Sequence, residues 1–201
     1  RIIKLIDEFE KSQTRKLMTT GERYYRVQND ILNREMYRTI KGKRVKEANK
    51  ANNKLAHGKY HAMVDEKVNY FLSKQFTLKG EDETYTKKVN DILGKHFSGK
   101  LKDLGYEASN KGKGWLHSYI NEKGVLKFEV IPSEQIIPEW EDAGHTRLLS
   151  VIRKYSTHKW LYNAKKEIVH IEYWTSNSVG YYIQSGGTLI PDDEKADIKG
   201  H

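Results

Sequence analysis

Tyr60, Val64, Val68 and Phe71 recur at helical spacing within residues 52–72, and this periodicity constrains the fold more than any other feature of the chain. Lys54, Lys59, Asp65, Glu66 and Lys67 occupy much of the remaining circumference. The spacing predicts an amphipathic helix over residues 53–72 that docks one face on a core. Asn52 and Asn53 stand in cap position, because an Asn side chain accepts hydrogen bonds from the free amides of a first helical turn.

Helical patterning continues on both sides of this run. Ile2, Leu5, Ile6, Phe9 and Leu17 form a stripe opposite Asp7, Glu8, Glu10 and Lys11, and Thr19-Thr20-Gly21 is expected to stop or kink that helix. Residues 22–32 are a second element, and residues 33–51 read as a polar, basic loop or extended arm. Residues 74–78 alternate as a short strand would. Gly80-Glu81-Asp82-Glu83 opens another helix with Tyr85, Val89, Ile92 and Leu93 as its apolar face, its acidic first turn suiting the helix dipole. A further helix over residues 98–109 ends at the turn of residues 109–114.

From residue 115 the pattern changes to strands. Residues 115–120 and 125–131 flank Asn121-Glu122-Lys123-Gly124 and read as a β-hairpin. Ile136-Ile137 is extended before Pro138, and residues 148–155, 168–175 and 181–184 are further strands. Residues from 191 onward read as loop or frayed end. Helices followed by strands predict an α+β fold with a mostly antiparallel sheet. The expected division is a basic helical arm and linker (1–51), a helical part (52–113), a β-rich part (114–190) and an end segment (191–201).

Composition narrows the function classes. The 201 residues are 37% hydrophobic and 31% charged, too wet for a large core but too rich in aromatics for disorder. No apolar run reaches membrane-spanning length, and Arg1-Ile2-Ile3-Lys4 lacks the pattern of a signal peptide. The chain has no Cys, which excludes disulfides and thiol chemistry and suits a reducing compartment. With no initial Met and no closing element after Ala196, it is expected to be a piece of something longer. The net charge of +9 is concentrated in residues 1–54, which hold 15 Lys and Arg against 7 Asp and Glu.

Five stretches then fall in a recognisable order. They are Tyr24-Tyr25 followed by Asn29-Asp30-Ile31-Leu32; the helix of residues 52–72; Ala108-Ser109-Asn110-Lys111-Gly112 with Trp115-Leu116-His117-Ser118-Tyr119; Ile131-Pro132-Ser133-Glu134-Gln135-Ile136-Ile137-Pro138; and residues 149–155, ending Ile152-Arg153-Lys154-Tyr155. Together they resemble the portal proteins, or head-to-tail connectors, of tailed bacteriophages, of the type found in siphophages and prophages of Gram-positive bacteria. Tyr24, Tyr25, Asn52, Asn53, Asp65, Lys67, Tyr70, Trp115 and Pro138 carry the resemblance and are expected to hold the fold or the ring. Asp65 and Lys67 are also placed to pair with a neighbouring subunit. Many relatives have Gly near position 27, where this chain has Val27, so a different local turn is expected there.

The resemblance implies the N-terminal arm and wing region of a portal subunit, with the stem and clip absent. It implies a structural protein and not an enzyme, in a ring of about twelve subunits closed by heterologous contacts at one capsid vertex. That ring would pass double-stranded DNA during packaging and ejection. Its partners would be the major capsid and scaffolding proteins, the terminase and the head-completion or tail adaptor proteins, with no membrane. Its location would be the virion, after assembly in the host cytoplasm.

The site candidates compete with plainer readings. His57, His61 and Asp65 share one helix face at four-residue spacing, but the zincin pattern needs a Glu where Gly58 stands, so boundary histidines beside Tyr60 are expected. Lys111-Gly112-Lys113-Gly114 lacks P-loop spacing and reads as a glycine turn. Glu139, Glu141 and Asp142 read as a solvated loop, and Glu172 is placed on the outer strand face beside His170 and Trp174. No catalytic residue, cofactor or metal is expected. The partner-directed feature is the basic stretch Arg34, Arg38, Lys41, Lys43, Arg44, Lys46 and Lys50, with Tyr24, Tyr25 and Tyr37 as its interleaved aromatics. Three readings stay open for it: contact with another subunit or capsid protein, contact with DNA phosphates, or a solvated linker. The alternative function is a sequence-independent nucleic-acid-binding module built on that basic arm.

Overall fold

The computed structural model describes residues 1–47, 49–74, 78–94, 96–161 and 164–196. In chain order its helices are α1 (Ile2–Lys11), α2 (Gln13–Tyr25), α3 (Lys59–Leu72), α4 (Glu83–Leu93), α5 (Phe97–Lys111) and the single turn α6 (Asp193–Ala196). Its strands are β1 (Tyr37–Ile40), β2 (Lys43–Lys46), β3 (Trp115–Ile120), β4 (Leu126–Ile131), β5 (Ile136–Trp140), β6 (Leu148–Leu161), β7 (Ala164–Thr175), β8 (Val179–Ser185) and β9 (Thr188–Pro191). The described strand pairs are all antiparallel, and the fold is α+β as the order of patterns predicts. The chain forms two compact units, Arg1–Met18 with Lys113–His201, and Thr19–Gly112. Residues 1–51, expected as one arm, are therefore divided between them.

In the first unit β5 to β9 form a five-stranded meander in sequence order. Strand alternation puts Ile137, Ile152 and Ile171 on one face. The stripe of Ile2, Leu5, Ile6 and Phe9 on α1 covers that face, and Ile6, Ile152 and Ile171 are sealed from solvent. Each such side chain contributes about 1.5–3 kcal/mol on burial. At the rim Arg1 pairs with Glu139 and Lys154 with Glu10. Pro138 lies on β5 and Pro191 closes β9, the two edge strands, where a residue without an N–H is tolerated. The β3–β4 hairpin forms where predicted. Asn121 Oδ1 accepts from the Lys123 and Val125 amides, and Gly124 takes the left-handed conformation the turn needs.

Several local expectations are corrected. The first helix breaks at Ser12, not at Thr19-Thr20-Gly21. The Ser12 hydroxyl donates to the Phe9 carbonyl (2.6 Å) and accepts from the Arg15 amide (3.1 Å), so it ends one helix and caps the next. Asn52 and Asn53 do not cap α3, whose N-cap is Gly58. Asn52 Nδ2 instead donates to the Arg34 carbonyl at 2.8 Å. Residues 37–46 pair as a hairpin where a loop or extended arm was expected. The segment after residue 190 holds the end of β9 and α6. The strand expected over 74–78 falls mostly outside the described residues.

Glu172 is also corrected. It lies opposite the α1-covered face, as alternation requires, yet it is buried. Tyr155 donates to its Oε1 (2.9 Å) and Trp174 Nε1 to its Oε2 (3.2 Å). Lys195 Nζ is 3.4 Å and Arg153 3.7 Å from its oxygens. Lys195 comes from α6, so the far end of the chain covers this carboxylate.

In the second unit α3 packs on α5, with Val64 and Val68 buried. The contact is close. A Cβ at Gly105 would come 2.6 Å from Leu72 Cδ1, and one at Gly21 would come 1.9 Å from the Asn110 carbonyl oxygen. Gly21 therefore lets α2 approach the α5 backbone and does not terminate a helix. Lys111 is buried between Glu107 (2.7 Å) and Glu22 (3.7 Å). Gly112 ends α5 in the left-handed conformation.

Candidate interaction surface

The basic stretch is built on the β1–β2 hairpin. Tyr37 pairs with Lys46, Arg38 with Val45, Thr39 with Arg44 and Ile40 with Lys43. Lys41 (φ 47°) and Gly42 (φ 75°) both take positive φ, as a two-residue type I′ turn demands. Every residue of both strands is exposed, so neither face belongs to a core. An isolated two-stranded ribbon is marginal in water, and side-chain pairs support this one. Arg44 lies 4.1 Å over the Tyr37 ring, Lys46 pairs with Glu35 at 2.6 Å, and Arg38 with Glu47 at 3.3 Å. The hydrogen bonds from Lys46 and Tyr37 hold the Glu35 carboxyl below its ordinary range.

The register decides what the cations can do. Arg44 and Lys46 share a face with Tyr37, whereas Arg38 and Lys43 share the other with Ile40 and Val45. Lys41 stands at the tip. Arg34 caps the short 3₁₀ turn Asp30–Asn33, and Lys50 is exposed beyond the hairpin. The seven cations therefore do not form one basic face. The sequence reading missed Glu35 and Glu47 as partners. The signal available was Gly42 between Thr39-Ile40 and Val45, a turn residue bounded by β-branched side chains.

The residues that carry the resemblance fall in different surroundings. Tyr25 stacks on His61 (4.4 Å between centroids) and donates to Asp65 Oδ1 at 2.8 Å. His61 Nε2 is 3.2 Å from Asp65 Oδ2. Burial, reinforced by the Asp65 hydrogen bond, pushes the Tyr25 phenol well above its ordinary pKa. Asp65, expected opposite a neighbouring subunit, is thus engaged within its own unit. Tyr24 donates to Asp30, and Asn53 and Lys67 are exposed. Trp115 lies near Trp140, with 6.4 Å between ring centroids. His57 precedes α3, so it does not share a helix face with His61, and its carbonyl accepts from Asn29 Nδ2. Among the described residues no cluster of three or more potential ligands is arranged for a metal.

Val27 takes φ 60°, a strained conformation for a β-branched residue. The local turn here is thus built on a left-handed residue other than glycine.

Among the described residues, two helices of the second unit expose large apolar side chains. On α3 Tyr70 is 82% and Phe71 70% exposed, contrary to the expected docking of Phe71, and the two rings meet edge to face at 5.2 Å. Met63 lies on the same side. The other is α4, which has no buried residue and exposes Tyr85 and Ile92.

The comparisons define the class as a structural protein of phages. A family model described as "Phage portal protein, SPP1 Gp6-like" matches residues 6–200, and the chain belongs to that family. It is 29% identical to the portal protein of Bacillus phage SPP1 over 192 residues, covering 95% of this chain. It is 30% identical to the portal protein of Clostridium phage phiCD119 over 174 residues, covering 79% of this chain. The chain spans 37% of the length of each relative. Among the described residues no helix is long and apolar enough to cross a membrane.

Proposed function

We propose that this chain is the N-terminal arm and wing region of a portal subunit that closes a ring at one capsid vertex. The ring would form the channel for double-stranded DNA packaging and ejection. It would offer the docking platform for terminase and for head-completion or tail proteins, with capsid and scaffolding proteins around it. The protein would assemble in the host cytoplasm and remain in the virion. This role is geometric and assigns no catalytic residue to the chain. The observation that carries the proposal is the continuous family match over residues 6–200.

The hairpin geometry favours protein contact over DNA contact for the basic stretch. A duplex footprint places cations on one side, where each phosphate contact adds salt-sensitive affinity. Here the cations alternate across both faces, and Arg38 and Lys46 are already paired with carboxylates. Ile40 and Val45 add exposed apolar surface. These features suit a neighbouring subunit or capsid protein, and the comparisons lend no support to a free-standing nucleic-acid-binding module.

The test is the particle mass of the complete gene product by light scattering, with negative-stain imaging. A ring of about twelve subunits is expected. A monomer or dimer at both low and high salt would overturn the reading.

A further inference from the structure

We propose that the exposed faces of α3 and α4 form the two halves of one contact between neighbouring copies, α3 of one subunit packing antiparallel on α4 of the next. The inference rests on the ring reading above and names the surface involved. A ring closed by head-to-tail contacts needs two different, mutually complementary patches on each subunit. The second unit carries two such patches.

Their spacing matches. Met63 and Tyr70 are seven residues apart on α3, and Tyr85 and Ile92 are seven apart on α4. Each pair spans about 10 Å along its helix, so Tyr70 meets Tyr85 and Met63 meets Ile92 in an antiparallel pair. Phe71, edge-on to Tyr70, widens the α3 patch. Val89 lies between Tyr85 and Ile92 on the α4 stripe.

Their charges match in the same orientation. The exposed side of α3 carries Lys59 and Lys67, and Lys74 follows its C-terminal end. The N-terminal end of α4 carries Glu81, Asp82 and Glu83. In the register that pairs Tyr70 with Tyr85, antiparallel packing brings that acidic end to Lys74 and leaves Lys67 level with Lys88. A parallel arrangement would set the acidic end against Lys59 and leave Lys74 without a counterpart on α4. A single helix pair is small against the roughly 1,200–2,000 Å² that a stable interface buries. The contact therefore belongs to the assembled ring and is read there.

The chain contains no cysteine, so introduced thiols report only their own position. The complete subunit is made with Tyr70→Cys and Tyr85→Cys together, any cysteines beyond this chain replaced, then assembled and oxidised. The expected result on a non-reducing gel is loss of the monomer band and a covalent ladder extending past the dimer. Each single variant should stay monomeric on the gel. Both tyrosines are largely exposed, so the substitutions remove no core packing, and Met63→Cys with Ile92→Cys reads the other end of the same contact. Two results overturn the proposal: a fast-migrating monomer from both pairs, meaning α4 folds on its own α3, or intact rings with no disulfide from either pair, meaning another segment covers these faces. Absence of rings from the unsubstituted protein would instead refute the ring reading itself.

Discussion

Replacing Gly21 with alanine sets helix propensity against a backbone contact, and the two effects have opposite signs. Inside a helix, Gly→Ala gains about 0.8–1 kcal/mol from propensity alone. At Gly21 the new methyl would sit 1.9 Å from the Asn110 carbonyl oxygen, roughly 1.6 Å inside an ordinary contact of about 3.5 Å. The obstacle is main chain, so no rotamer change relieves it and α2 must move away from α5. Overpacking of this kind costs about 1–3 kcal/mol, occasionally more, and the rigid obstacle places Gly21 at the upper end. The net expectation is a loss of about 2 kcal/mol.

Two other helical glycines calibrate the comparison. At Gly99 nothing lies within 4 Å of the added carbon, so Gly99→Ala should gain about 0.5–1 kcal/mol. At Gly105 the nearest atom is the movable Leu72 Cδ1 at 2.6 Å, so Gly105→Ala should fall near zero as propensity and crowding offset. In a chain of this length the Gly21 variant should melt about 4–8 °C lower and the Gly99 variant about 1–4 °C higher. Calorimetry with urea titration followed by circular dichroism reads the order, taking the two units as separate transitions where they resolve. A Gly21 variant as stable as the unsubstituted chain would refute the close α2–α5 approach.

Three further outcomes are expected. Val27→Asn should stabilise by about 1 kcal/mol, because Asn tolerates the left-handed conformation that a β-branched residue resists, and an unchanged urea midpoint would count against the strain. Ile6→Ala should cost about 2–5 kcal/mol by opening a cavity between α1 and the sheet, read from the unfolding of the sheet-bearing unit. Glu139, held below the ordinary carboxylate range by the Ser150 hydroxyl and Arg1, contributes stability that is full above the unfolded carboxyl range. That contribution is lost as pH falls through the depressed native value. Glu139→Gln should therefore flatten the acid limb of stability against pH, and an unaltered limb would sink the assignment.

The parts of the fold that were legible in the sequence are those where a repeat and a punctuation mark agree. Residues 115–131 alternate around an Asn-to-Gly turn, and Val64 and Val68 sit one helical turn apart. Signals with two meanings misled. Gly21 reads as a stop in one dimension and is a packing residue in three. Ser12 is an unremarkable helical residue until its hydroxyl serves two helices at once. The β1–β2 hairpin hid in a basic stretch because both faces are exposed, leaving no apolar alternation to see. Alternation gives Glu172 its strand face, yet it is buried among Tyr155, Trp174, Arg153 and Lys195, and the last lies beyond the reach of a local pattern. At the candidate surface the seven cations were legible by position. Their division between faces was not, since it follows from the pairing register.

Two of the chain's three prolines stand on the two edges of the five-stranded sheet, Pro138 on β5 and Pro191 at the end of β9. An open edge is a template for adding a strand, and a missing N–H interrupts that template. A subunit of the proposed ring would gain from such blunted edges, because sheet-to-sheet aggregation competes with ordered association. The same feature limits how this sheet could meet a partner in the proposed ring: through side chains on its faces and hairpins, not by main-chain strand exchange along its borders.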